Sequence, residues 1–184
     1  SFYAEREKMK AFRHVLQGET QRDLMLTPAF RRGISKLKAF NFTYDILIFR
    51  DQLNFASQLA QEFPDQPFVL DHISKPDIKN QDIKEWERDI RNLAKAENVS
   101  CKVSGMVTEA DWKHWKPEDF TPYLDVVFDA FGIERLMYGS DWPVCNVAGG
   151  YGKALEILKD YCRSLSSNEQ SLFFGENAIK FYNL

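Results

Sequence analysis

Five short apolar runs, separated by segments with helical periodicity, constrain the fold of this 184-residue chain more than any other feature. Runs that are apolar at nearly every position are typical of parallel strands buried on both faces. They occupy residues 12–16, 44–49, 68–72, 99–104 and 136–141. The sequence therefore predicts five strands whose sheet is covered on both sides.

Segments with an apolar stripe at helical spacing lie between most of these runs. They occupy residues 53–63, 83–96, 122–131 and 151–161. Pro64 is expected to end the first of these helices, and Gly132 to cap the third. Ser166 and Glu169 have the spacing of a capping box, so a last helix is predicted to run toward Tyr182. The alternation predicts an α/β fold with a parallel sheet, in a single domain over residues 1–184.

Charge and cysteine content exclude several classes of protein. The 24 basic and 27 acidic residues are interspersed and give a net charge of −3, so nucleic acid is not an expected partner. The apolar runs are too short to cross a bilayer, and the charged first ten residues do not resemble a signal peptide. Three widely spaced cysteines do not predict a disulfide framework. We therefore expect a cytoplasmic protein with a small-molecule substrate and no membrane partner.

The third run ends in Asp71-His72, at the edge of the sheet where parallel α/β folds place their chemistry. Strand alternation predicts that His72 shares a face with Phe68 and Leu70, and that Asp71 points the other way. An imidazole at this position could bind a metal, polarise a carbonyl group or relay a proton. A structural hydrogen bond to a neighbouring loop is the alternative.

The fifth run ends in Asp141, just before Trp142-Pro143. Pro143 is expected to end the strand, and Gly139 on the same face leaves the Asp141 carboxylate unscreened. Such a carboxylate suits a general base or a metal ligand, and capping of the following loop is the alternative role.

The first and fourth runs add further polar groups. Arg13 and Gln17 share one face of the first strand, and His14 lies on the other. Arg13 could bind a carboxylate or sugar oxygens, or form a salt bridge within the sheet. Lys102, inside a buried strand, requires a partner, which Asp141, a substrate anion or an interior structural ion pair would provide.

Two motifs together point to a family. Residues 71–76 (DHISKP) and 138–143 (YGSDWP) resemble the amidohydrolase superfamily, and more closely its sugar-lactone hydrolase branch, of the L-fuconolactonase and L-rhamnono-γ-lactonase type. Residues 13–17, 103–112 and 175–182 support the resemblance, and all five stretches occur in the expected order.

The resemblance implies a (β/α)₈ TIM barrel with its active site at the carboxyl ends of the strands. Asp141 would accept the proton of the attacking water, and His72 would polarise the lactone carbonyl group or hold a metal together with Asp141. The resemblance also implies a divalent metal, zinc by preference, or none. The residues expected to bind substrate are Arg13, His14, Gln17, Lys102 and Trp142.

One part of the family pattern is missing. Family members open with a strand that carries His-x-His, and this chain contains no such motif. Counted from the end of the chain, Asp141 then falls on strand eight, His72 on strand six and Arg13 on strand four. The resemblance therefore implies the C-terminal five βα units of the barrel plus a C-terminal helix, as a single partial domain. The edge strands of such a partial barrel would be exposed. We therefore expect them to be covered by a second copy of the chain, in a homo-oligomer, or by a missing segment.

Three functions remain open on the sequence. The first is a hydrolase that opens a sugar (aldonic acid) lactone by activated water, with Asp141 as general base. The second is a catalytically inactive fragment of such an enzyme, because the His-x-His strand is missing. The third is a decarboxylase of the same superfamily.

Overall fold

The computed structural model describes residues 2–3 and 5–184, and its centre is a five-stranded parallel sheet. The strands lie side by side in chain order, and each one pairs in parallel with the next. They are β1 (Ala11–Val15), β2 (Thr43–Leu47), β3 (Phe68–Leu70), β4 (Val99–Val103) and β5 (Leu136–Tyr138). The predicted number of strands and the parallel sheet are confirmed.

Seven α-helices are found in the described part of the chain. They are α1 (Pro28–Leu37), α2 (Leu53–Glu62), α3 (Lys84–Ala94), α4 (Thr121–Phe131), α5 (Gly150–Tyr161), α6 (Ser167–Ser171) and α7 (Asn177–Tyr182). A π-helical turn, Leu172–Glu176, joins α6 to α7, so the predicted last helix is one helix with a wide turn inside it. The capping box is confirmed, because the Ser166 backbone N–H donates to the Glu169 carboxylate at 2.8 Å and the Glu169 N–H donates to Ser166 Oγ at 3.3 Å.

Helix α1 lies between β1 and β2, where the apolar pattern predicted no helix. Its start carries a recognisable signal, since Pro28 occupies the first turn and Thr27 Oγ1 accepts a hydrogen bond from the Phe30 N–H at 3.4 Å. Ile34 is buried, and Phe30 and Leu37, four residues before it and three after it, pack against the same core. The helical spacing of these three residues was therefore present in the sequence, and the prediction missed it.

The two faces of the sheet differ in character. Alternate strand residues, among them Ile46, Leu70 and Cys101, pack with the helices into one apolar core. The other face carries charged side chains, including Asp45 and Lys102, and β4 alternates between buried and half-buried positions. The prediction of a sheet covered on both sides is confirmed for β2 and β3, whose residues are all buried, and was wrong for β1, whose last three residues are exposed.

Two strands end earlier than the apolar runs predicted. Strand β3 stops at Leu70 instead of residue 72, and β5 stops at Tyr138 instead of residue 141. Both His72 and Asp141 therefore belong to the turns that follow the strands. Among the described residues, no helix combines the length and the hydropathy that a bilayer crossing requires.

Candidate active site

A left-handed turn follows β3 and fixes the position of His72. Four consecutive residues, His72, Ile73, Ser74 and Lys75, have φ angles of 55°, 45°, 61° and 51°. Left-handed backbone costs an L-residue about 1–2 kcal/mol. The turn is held by Trp86, whose buried indole N–H donates to the Ile73 carbonyl at 2.8 Å. Strain maintained in this way is typical of a functional site.

The turn directs His72 toward Asp141. His72 Nε2 lies 3.5 Å from Asp141 Oδ1, and only 14% of the His72 side chain and 12% of the Asp141 side chain are exposed. The predicted alternation, with His72 on the face of Leu70, was therefore wrong, because the strand ends before His72 and the backbone changes to the left-handed region.

Ser104 orients the imidazole from the neighbouring strand end. Its Oγ lies 2.8 Å from His72 Nδ1. Two glycines make room for this contact. A Cβ atom on Gly105 would lie 3.0 Å from His72 Cγ and Nδ1, and one on Gly139 would lie 2.9 Å from Ser104 Cβ. From the sequence we expected Gly139 to leave Asp141 unscreened. In the structure, the side chain closest to a Cβ atom on Gly139 is that of Ser104.

Asp141 is also held by a left-handed turn, with a φ of 52°. Its carbonyl oxygen accepts a hydrogen bond from the Cys145 N–H at 3.0 Å, which closes the turn. The separation of 3.5 Å from His72 is longer than a good hydrogen bond. The two side chains are therefore close enough to act on one reacting group, and neither is fully engaged by the other.

Burial lowers the pKa of His72, which the Asp141 and Asp71 carboxylates oppose. The net direction is downward, so the imidazole is neutral near pH 7. The Ser104 contact then decides the tautomer. If the Ser104 hydroxyl donates to Nδ1, then Nε2 carries the proton and can donate. If Nδ1 donates to Ser104, then Nε2 presents a lone pair.

A separate charged network occupies the polar face of the sheet. Lys102 Nζ lies 2.5 Å from Asp45 Oδ2 and 2.9 Å from Asp71 Oδ1, and Arg13 donates to Asp71 Oδ2 at 2.9 Å. The Tyr182 hydroxyl donates to Asp45 at 2.9 Å. Asp141, one of the partners suggested for Lys102, is thus not its partner. The interior structural pair is the arrangement found.

The network fixes the charge of Lys102. Burial by itself would lower the pKa of Lys102, but the carboxylates of Asp71 and Asp45 outweigh it and raise that pKa above its usual value. The network carries no net charge, because the cations Lys102 and Arg13 balance the two carboxylates of Asp45 and Asp71.

Three further candidates for substrate binding lie outside both groups. His14 pairs with Glu19 at 2.7 Å on the exposed side of β1, and Trp142 is 66% exposed. The Gln17 Oε1 atom is buried and has no hydrogen-bond partner among the described residues. Contact of these residues, and of Arg13 and Lys102, with substrate stays a prediction.

Three side chains near the site were not among the predicted site residues. Ser104 orients His72, while Lys75 and Glu109 form a pair with 3.6 Å between Nζ and Oε1. Lys75 lies within the DHISKP motif, so the motif itself was the available signal. Ser104 is followed by a left-handed Gly105, a pattern that marks a close approach of backbone to a side chain.

The donor set does not complete a metal site within the described residues. No group of three or more His, Cys, Asp or Glu side chains is arranged there to hold a metal ion. His72 and Asp141 provide two donors, and a catalytic zinc takes three ligands from protein.

Comparison with known proteins decides the family. The amidohydrolase family model matches residues 3–184, essentially the whole chain. The chain belongs to the amidohydrolase family. A crystal structure of an amidohydrolase from Burkholderia multivorans with bound zinc is 36% identical and superposes with a TM-score of 0.90, over 95% of this chain and 64% of that chain. The superposition supports an α/β fold of the TIM-barrel kind.

Curated relatives include sugar lactonases. The L-fucono-1,5-lactonase of Burkholderia multivorans is 37% identical, covering 96% of this amidohydrolase chain and 64% of that protein. The L-rhamnono-γ-lactonase of Scheffersomyces stipitis is 22% identical, covering 96% of this chain and 59% of that protein. The chain therefore spans less than two thirds of the length of these relatives.

Proposed function

We propose that this protein hydrolyses the lactone of a sugar acid, with Asp141 as general base and His72 as its partner at the reacting carbonyl group. The observation that carries the proposal is the distance of 3.5 Å between His72 Nε2 and Asp141 Oδ1. The two residues follow the carboxyl ends of β3 and β5, on either side of β4 in the parallel sheet. The relative that is 37% identical and named L-fucono-1,5-lactonase supports the same reaction class.

The proposed reaction has two steps, addition and ring opening. Asp141 accepts a proton from water as the water oxygen bonds to the lactone carbonyl carbon. His72, in the tautomer with Nε2–H, donates to the carbonyl oxygen, where negative charge develops. The ring C–O bond then breaks, and the proton held by Asp141 passes to the ring oxygen. The product is the open-chain hydroxy acid.

Fewer observations of this chain support a bound metal than support the hydrolysis. The relative from Burkholderia multivorans whose structure contains zinc supports a metal in the family. We propose that His72 and Asp141 would supply two of the ligands if a divalent metal, zinc by preference, is bound. The remaining ligands would have to come from outside the described residues, so no step of the reaction is assigned to the metal.

We also propose that the sheet represents strands four to eight of a (β/α)₈ barrel. Strands β1 and β5 each pair on one side only within the described chain, and their order is the order of strands around a barrel. Further strands, or a second copy of the chain in a homo-oligomer, would cover these two edges.

The experiment that tests the reaction is hydrolysis of aldono-1,5- and aldono-1,4-lactones by the protein as its gene encodes it, before and after Asp141→Asn. Loss of the general base should lower kcat by about 10²–10⁴-fold. Asp129→Asn is the matched control, because Asp129 is a 72% exposed carboxylate at the end of α4. Undiminished turnover by folded Asp141→Asn would overturn the role of Asp141, and a folded protein that opens no lactone would overturn the reaction.

A second assay separates the decarboxylase alternative. A panel of aromatic carboxylates is offered to the same preparation, and release of carbon dioxide is measured. Carbon dioxide release without lactone opening would favour the decarboxylase reading, and neither activity would favour an inactive fragment.

A further inference from the structure

A cleft of about 360 Å³ is lined in part by Phe49, Lys75 and Glu109, and these residues play no part in the proton transfers above. They follow β2, β3 and β4 respectively. Lys75 ends the same left-handed turn that carries His72. The cleft is therefore built on the carboxyl ends of three neighbouring strands, where ligands of parallel α/β folds bind.

The three side chains offer a donor, an acceptor and an aromatic face. Lys75 Nζ lies 3.6 Å from Glu109 Oε1 and 5.6 Å from the centroid of the Phe49 ring. The ion pair is longer than a good hydrogen bond, so the ammonium and the carboxylate keep hydrogen-bonding capacity for a ligand. Only 17% of the Lys75 side chain and 23% of the Glu109 side chain are exposed, which limits competition from bulk water.

The charge of the cleft favours a neutral ligand. Its lining holds two cations, Arg50 and Lys75, and three carboxylates, Asp51, Asp77 and Glu109. The net charge of these side chains is −1. Arg50 is already engaged, because it lies 3.0 Å from an Asp82 carboxylate oxygen. A substrate with several carboxylates would meet only one cation with spare hydrogen-bonding capacity, Lys75, and an excess of negative charge.

We propose that Phe49, Lys75 and Glu109 form a subsite for the ring hydroxyl groups of the sugar lactone. Lys75 donates to one hydroxyl oxygen, Glu109 accepts from the hydroxyl next to it, and the Phe49 ring covers the apolar face of the sugar. The proposal rests on the proposed function, and it names a neutral polyhydroxylated lactone as the substrate class, in preference to a dicarboxylate lactone. His72 and Asp141 act on the carbonyl group while these three residues select the ring.

The test compares two substrates on each variant: an aldono-1,5-lactone and the unsubstituted δ-valerolactone, which lacks the hydroxyl groups. The measured quantity is the ratio of kcat/KM for the two lactones. Lys75→Met and Glu109→Leu should each lower this ratio by about 10- to 100-fold, the effect of losing a hydrogen bond to a charged group. Glu109→Gln, which keeps an acceptor of the same shape, should lose less than Glu109→Leu.

Lys38→Met is the matched control, because Lys38 pairs with Asp65 at 3.0 Å in an exposed position away from the strand carboxyl ends. It should leave the ratio unchanged. A ratio that stays within twofold of the parent in folded Lys75→Met and Glu109→Leu would overturn the subsite.

A binding measurement distinguishes failure of the subsite from failure of the proposed hydrolysis. The probe is the 1,5-lactam of the aldonic acid, a neutral analogue of the lactone, titrated by calorimetry in the absence of turnover. If no lactone is opened but the lactam binds, and binds at least 10-fold more weakly to Lys75→Met, the subsite stands and the reaction fails. If the lactam does not bind to the parent protein at all, the subsite is overturned.

Discussion

Two buried polar groups lie on this sheet, and they differ in how completely their charges are paired. In the interior network, Lys102 contacts the carboxylates of Asp45 and Asp71 at 2.5 and 2.9 Å, and Arg13 completes the balance. At the strand ends, His72 and Asp141 are 3.5 Å apart. In the first group each charge lies within 3 Å of an opposite charge, whereas in the second the two side chains are farther apart than a good hydrogen bond.

The backbone shows the same contrast. The network residues Asp45 and Lys102 are in regular β-strands, whereas His72 and Asp141 have φ angles of 55° and 52°. A fold keeps strained backbone where the surrounding contacts over-determine it, and such positions concentrate at functional sites. We therefore propose that the network contributes stability and that the His72–Asp141 pair carries the chemistry.

The largest expected effect on stability is that of Lys102→Met. The change leaves Asp45 and Asp71 buried near each other without their shared cation, and removal of one partner from a buried ion pair costs about 3–5 kcal/mol. Urea unfolding followed by circular dichroism gives the free energy directly. A loss below about 1 kcal/mol would mean that the network is solvated and does not hold the sheet.

Gly139→Ala should have an intermediate effect, on stability and on activity together. The new Cβ would lie 2.9 Å from Ser104 Cβ, so Ser104 must move and the imidazole of His72 loses its fixed orientation. Overpacking of this kind costs about 1–3 kcal/mol, and kcat should fall by up to about 10²-fold because of the misplacement. Gly152→Ala is the control, since a Cβ there meets no atom within 4 Å. Equal activity of the two variants would contradict the orienting role of Ser104.

Tyr182→Phe should have the smallest effect of the three. It removes the hydroxyl that donates to Asp45 at 2.9 Å but leaves the ring, whose centroid is 5.2 Å from Lys102 Nζ. The expected loss is about 0.5–1.5 kcal/mol, the net value of one hydrogen bond. Thermal melting measures it, and lactone hydrolysis below the melting temperature should not change. A loss of activity without a loss of stability would link α7 to the chemistry.

Much of the fold could be predicted, because each strand can be recognised from the apolar residues of its own short segment. The five strands, the capping box at Ser166 and the cap at Gly132 were all read from short-range patterns. Helix α1 was missed although Phe30, Ile34 and Leu37 form an apolar stripe at helical spacing. The ends of β3 and β5 were also misjudged, because left-handed residues after a strand leave no mark in hydropathy.

The candidate site was predictable only in part, for a related reason. His72 and Asp141 stood out as polar residues at strand ends, and the structure brings them together. The partners of Lys102 could not be chosen from sequence, because Asp45 is 57 residues away and lies on β2, which β3 separates from β4. Lys75 and Glu109 likewise meet through turns that follow different strands.

The most direct test of the central contrast compares two substitutions of the same kind, Asp141→Asn and Asp45→Asn. Both remove one carboxylate charge with little change in shape, and both variants are measured for lactone hydrolysis and for free energy of unfolding. Asp141→Asn should lose about 10²–10⁴-fold in kcat and unfold within about 1 kcal/mol of the parent. Asp45→Asn should lose about 1–3 kcal/mol of stability and, while folded, keep kcat within about threefold. An active Asp141→Asn, or a folded and stable Asp45→Asn without activity, would contradict the assignment of chemistry to the loosely held pair.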